Sequence, residues 1–150
     1  MPHRRRLKCY LIVMIIASLC SQAWADDSDK PEPLALRKIM QEMSENMQII
    51  TAAISREQWH KVVTTAPLVG DHPQPPFMEK TRILRFVGSD TSTFRMFDKK
   101  TQQAAQTLQQ AALDKDGERV INTFAELQKS CLSCHQRFRE PFVTHFYSPQ

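Results

Sequence analysis

Residues 120–138 read VINTFAELQKSCLSCHQRF, and their core-type side chains fall at Val120, Phe124, Leu127, Cys131, Cys134 and Phe138. The intervals are 4, 3, 4, 3 and 4, which put all six on one stripe of a helix and turn that stripe toward a core. The same rhythm recurs upstream. Leu36, Met40, Met43, Met47, Ile50 and Ile54 predict a first helix over residues 34–54, its start prepared by Pro31 and Pro33. Trp59, Val62, Ala66 and Val69 predict a second helix, with Ser55-x-x-Gln58 as a capping box and Gly70 near its end. Phe94, Phe97, Thr101, Ala104, Leu108 and Ala111 predict a third, capped at Thr91 or a neighbour, and its small residues imply a closely packed partner.

The connections complete the reading. Asp114-Lys115-Asp116-Gly117 is a tight polar link, and Pro141 is expected to stop the last helix. His72-Pro73-Gln74-Pro75-Pro76 cannot be helical, and it opens a long crossover holding one short apolar-faced segment, Met78 to Val87, before Gly88. No alternating pattern of useful length appears, and 3 glycines are too few for a turn-rich β fold or a phosphate-cradling loop. The expected fold is all-α: an antiparallel four-helix bundle with one long crossover loop.

Charge separates the front of the chain from the rest. The net charge is +4, from 20 Lys and Arg against 16 Asp and Glu, and Arg4, Arg5, Arg6 and Lys8 are the only charged residues before Asp26. The remainder is therefore balanced and carries no electrostatic footprint for nucleic acid. The cationic start precedes an apolar run from Tyr10 to Leu19 and the small-residue site Ala23-Trp24-Ala25, so residues 1–25 read as a secretory signal peptide and 26–150 as the mature domain. The apolar run is roughly half the ~20 residues a membrane span needs, which points to cleavage in place of a stable anchor and to a periplasmic product.

Cys9 and Cys20 would leave with that segment, and the mature chain keeps Cys131 and Cys134 alone. A disulfide framework is excluded; a C-x-x-C pair in an exported protein points to chemistry. Cys131, Cys134 and His135 stand at i, i+3 and i+4, within about 100° of one another on a helix. Two thiols and an imidazole on one face suit addition of both sulfurs to the vinyl groups of a haem while the imidazole reaches the iron. Rival readings fit less well. A zinc site needs four ligands, and only distant His60, His72 or His145 could complete it. A thiol–disulfide centre wants its first cysteine at a helix N-terminus, whereas Cys131 lies well inside the last helix. A buried structural pair would leave His135 without a partner.

A four-helix pattern ending in Cys131-Leu132-Ser133-Cys134-His135, followed by Gln136-Arg137-Phe138-Arg139, resembles the class II cytochromes c over residues 34 to 140. These are the cytochrome c-prime proteins and their Met-ligated low-spin relatives. The resemblance implies one covalent haem c on Cys131 and Cys134, His135 as proximal ligand, and Arg139 in the place of the family's proximal-side Arg. It also puts Met40 at the distal position on the first helix, as sixth ligand to the iron. Arg37 precedes Met40 by three residues where the family commonly has four, which keeps Met43 as the alternative. His60 and His72 read as surface histidines, and Lys80, Arg82 and Arg85 as candidate partners of the haem propionates.

The expected function is that of a periplasmic single-electron carrier with His/Met ligation, exchanging electrons with redox partner proteins, and not an enzyme. A thioether is a soft ligand that favours ferrous iron and raises the potential. The alternative is a five-coordinate protein that binds nitric oxide or carbon monoxide, with Met40 packed beside the iron. Homodimerisation through the first two helices is implied by the resemblance alone.

Overall fold

A computed structural model describes residues 34–147. The expected signal segment, residues 1–25, lies outside the described residues. Helices α1 (Ala35–Ile54), α2 (Trp59–Gly70), α4 (Thr91–Leu113) and α5 (Gly117–Tyr147) form the bundle. Helix α3 (Phe77–Val87) and a 3-10 turn (Gly88–Asp90) fill most of the crossover between α2 and α4. The described residues hold no strand, and no helix among them is long and apolar enough to cross a membrane.

Neighbouring helices run antiparallel, as the contacts along them show. Gln109 Nε2 donates to the carbonyl of Val63 at 3.1 Å, while Gly70 at the other end of α2 meets α4 at Gln102 and Ala105. A Cβ on Gly70 would stand 2.9 Å from that of Ala105, so only glycine permits this approach, and the small residues of α4 have the close neighbour they imply. On α5, Ser130 lies 3.1 Å from Thr101 and the ring of Phe138 lies 6.2 Å from that of Phe97, so position rises on one helix as it falls on the other.

The apolar interior is divided into two clusters. One holds Ile50, Ala53, Val62, Val69, Ala105, Leu108, Val120 and Leu127, with Met43, Met47 and Phe124 packed against it. The other holds Leu34, Ile83, Phe138 and Phe142, with Phe86, Phe94, Phe97 and Cys134 against it. Helix α2 spans 12 residues and reaches only the first cluster, so α3 closes the second.

The apolar-faced segment expected within the crossover is helix α3, and its apolar face covers the second cluster. Three local expectations are corrected. Ser55 does not cap α2: its hydroxyl donates to Thr51 O at 3.0 Å as part of the end of α1, and Gln58 is the residue before α2. Neither Thr91 nor its neighbour Asp90 caps α4 with a side-chain bond: Asp90 holds the position before the helix without one, and the Thr91 hydroxyl donates to Gly88 O. Pro141 lies inside α5 without ending it. An interior proline costs about 3 kcal/mol. Beyond it, Phe142 is buried and packs 5.2 Å from Phe86, Phe146 also packs 5.2 Å from Phe86, and His145 stacks on Phe86 at 4.4 Å. Fully burying one such ring stabilises by about 1.5–3 kcal/mol, so buried Phe142 with half-buried Phe146 offsets a cost of that size.

The start of α1 takes its cap from elsewhere in the chain. Both carboxylate oxygens of Glu79, in the first turn of α3, accept bonds from the backbone N–H groups of Ala35 and Leu36, at 2.7 and 2.8 Å. This satisfies two orphan donors and complements the positive end of the helix dipole. Glu79→Ala should therefore destabilise the protein by about 1–3 kcal/mol in chemical denaturation. Phe142→Ala should cost about 3–5 kcal/mol by the same measurement, whereas a helix that ended at Pro141 would leave stability almost unchanged.

Candidate haem-attachment site

The break between the two clusters falls at one level of the bundle. On α5, Leu127 belongs to the first cluster and Cys134 packs against the second, with Cys131 between them and half-buried. On α4, Phe97 and Ala104 belong to different clusters, and the buried residue between them is polar Thr101, whose hydroxyl meets Ser130 of α5. On α1, Leu36 packs on the second cluster and Met43 on the first, and Met40 between them joins neither. Helices α1 and α5 touch only sparsely, in contrast to the other neighbouring pairs of the bundle.

The motif residues occupy this level on α5. Cys131 and Cys134 are both free thiols, and both are raised above their ordinary value, first by burial. Cys134 is pushed up to about 11, with the neighbouring Cys131 and the carboxylate of Asp98 adding to the effect of burial. Neither thiol therefore resembles the low-pKa nucleophile of a thiol–disulfide enzyme, which relies on a helix N-terminus or a nearby cation. His135 is shifted the other way, down from 6.5, by burial and then by the positive charge of Arg139 one turn along. Its imidazole is neutral at pH 7 and has a lone pair for a metal.

No three His, Cys, Asp or Glu side chains converge to hold a metal ion among the described residues. Of the histidines that a zinc site would need, His72 bonds Asp98, His145 stacks on Phe86 and His60 is exposed on α2.

The Cytochrome C' family model matches residues 34–139, more than half of the chain. The chain belongs to the cytochrome c' family. No curated protein and no solved structure gave a match. The match ends just before Pro141, so the last turns of α5, with Phe142, His145 and Phe146, lie beyond the family segment.

The residues of this cytochrome fit the haem its family implies. Two unpaired thiols and a neutral imidazole share one face of α5, and the apolar core is interrupted at their level. Cys131 and Cys134 would hold the group and His135 would supply a ligand, while the group when bound provides a one-electron ferric/ferrous couple. Arg139 is exposed and electrostatically coupled to His135. Met40 is 37% exposed, and the fully inward residue of that turn is its neighbour Ile39. The heptad-like stripe thus runs beside Met40 at this level and not through it. Lys80 donates to Gln74 at 3.3 Å and Arg82 lies 5.8 Å above the ring of Phe146, so two of the three candidate propionate partners already have contacts.

Sequence reasoning passed over two residues near the motif. His72, read as a surface histidine, has a buried ring, and Asp98, which receives it, stands beside Cys134. Neither follows an apolar rhythm or a motif spacing, so no one-dimensional signal marks them.

An apolar core divided at the motif level would be completed by a haem held there. The Cys131→Ala/Cys134→Ala double variant, expressed where c-type cytochromes mature, should melt at a lower temperature and less cooperatively than the haem-bearing wild type. Equal melting of the two would place the haem outside the core.

Proposed function

We propose that this member of the cytochrome c' family is an exported single-haem electron carrier. In this reading Cys131 and Cys134 bear the haem, His135 is the proximal ligand and Met40 the sixth ligand. Residues 1–25 direct the chain to the periplasm and are removed there. The observation that carries the ligand assignment is the division of labour among the methionines of α1. Met43 and Met47 pack on the first cluster and are committed to the core, whereas Met40, at the level of the break, packs in neither cluster. A core methionine is an adaptable filler; one left outside the core at a cofactor's level has its sulfur free.

The protein's own groups set the chemistry. The neutral state of His135 leaves its lone pair available without prior loss of a proton. Arg139 disfavours protonation of that ring and so helps to hold the ligand form. A thioether at the sixth position favours the ferrous state and raises the potential. An iron with both axial positions occupied has no open place for a substrate, which accords with electron carriage and not with enzymatic turnover. The donors and acceptors are periplasmic redox proteins.

Spectra of the purified ferric protein and of two variants test the assignment. Wild type should be low-spin and bind carbon monoxide slowly or weakly. Met40→Ala should become high-spin or water-ligated, admit carbon monoxide readily and have a lower potential, while Met43→Ala should keep the wild-type spin state. A wild type that is already high-spin and binds carbon monoxide freely would reject Met40 ligation in favour of a five-coordinate gas-binding protein. A spin change in Met43→Ala alone would move the ligand one turn along α1.

A further inference from the structure

The histidine that follows α2 is unusually placed for a loop residue. Its side chain is 8% exposed, although Pro73 and Gln74 beside it are open to solvent. Each ring nitrogen faces an oxygen that only accepts. Nδ1 is 2.9 Å from the carbonyl oxygen of Pro73, and Nε2 is 3.0 Å from Oδ1 of Asp98 on α4. Neutral imidazole has a single N–H and would turn a lone pair toward one of these oxygens; the imidazolium has two N–H groups and satisfies both.

Asp98 in turn belongs to the haem-attachment level. The Phe97–Phe138 contact at 6.2 Å and the Thr101–Ser130 contact at 3.1 Å bracket it on α4 and bracket Cys134 on α5. The carboxylate of Asp98 contributes to the upward push on the Cys134 thiol.

We infer that His72, clasped as an imidazolium between Pro73 and Asp98, is a tuning residue that couples proton uptake to electron uptake at the cysteine-bearing face of α5. The inference rests on the haem reading above. An electron passing from a one-electron donor protein turns ferric iron to ferrous and removes one unit of positive charge from the site. A nearby proton is then held more tightly, and in the pH range between its oxidised-state and reduced-state pKa values His72 takes up one proton from water. The charge is balanced by the electron, and no bond of the protein is made or broken apart from the N–H.

The charged groups acting on the ring are Asp98 on α4 and Asp71 at the end of α2, both acidic. Asp71 also accepts a bond from Gln102 of α4 at 2.9 Å. On α5 the carboxylate of Asp98 acts on Cys134, which would be a thioether once haem is attached. The hydrogen bond to Asp98 is the largest influence on His72 and outweighs burial, so the ring holds its proton above the ordinary 6.5. The sign follows: a raised value means that the clasp is fully present below pH 6.5 and is lost as pH rises through the folded value. Loss of that positive charge lowers the affinity of the site for an electron. Asp98 is 54% exposed, which screens the effect and keeps it modest.

The test uses the haem-bearing protein in both oxidation states. Proton NMR of the His72 ring should give a pKa above 6.5, and higher in the ferrous than in the ferric protein. The midpoint potential should fall with rising pH across that window. His72→Gln should abolish this component of the fall with an unchanged absorption spectrum, and Asp98→Asn should move it to lower pH. A haem-bearing protein whose His72 titrates identically in both oxidation states, or whose His72→Gln variant keeps the whole pH dependence, overturns the coupling alone. A chain matured without covalent haem overturns the coupling together with the haem reading.

Discussion

Helix α5 has to present hydrocarbon and sulfur along the same buried stripe. Val120 and Leu127 complete one apolar cluster, Phe138 and Phe142 complete another, and Cys131 and Cys134 stand between without a break in register. Two other helices carry a residue at that level that joins neither cluster. Helix α4 meets it with Thr101, whose hydroxyl reaches Ser130, so α4 and α5 remain closed at this level by a polar contact. Helix α1 meets it with Met40, which neither cluster takes up. An apolar core with a break of this kind forgoes roughly 25 cal/mol for each Å² left unburied, which gives a large flat cofactor a strong role in completing the fold.

The end of the bundle near the motif is built by elements outside the usual four. Helix α3 contributes Ile83 and Phe86 to the second cluster and lends Glu79 to the N-terminus of α1. The turns of α5 after Pro141 wrap Phe142, His145 and Phe146 around Phe86, and Arg37 of α1 lies 5.5 Å above the ring of Tyr147. These contacts join both ends of the described chain to the crossover. The position of α1 relative to the motif is therefore governed partly by residues far from either, because a helix cap and an aromatic stack fix where its first turn can lie.

Electrostatics around the motif separates attachment from redox catalysis by thiols. Burial raises both cysteines and lowers His135, so all three neutral forms are favoured in the same environment. A thiol enzyme requires the opposite sign for its nucleophile. The pattern reverses at His72, where the carboxylate of Asp98 outweighs burial and favours the charged ring.

The helices, their order, the short links and the face carrying Cys131, Cys134 and His135 were legible in the sequence, because a 3.6-residue period and an i, i+3, i+4 spacing are properties of a single helix. The C-x-x-C-H grouping was equally legible, since its geometry follows from helical rise and turn alone. Tertiary structure decided what depends on two elements meeting. It turned Ile39 inward in place of Met40, a choice of face that the helical period of α1 alone leaves open. It carried α5 through Pro141, since the rings beyond the proline find a partner in Phe86. It replaced the expected cap at Ser55 and supplied α1 with Glu79 from another helix. It buried His72 against Asp98, a pair 26 residues apart in the chain. Periodicity reports which face of a helix is apolar, but it contains no term for hydrogen bonds and packing made between helices, and those set the remaining positions.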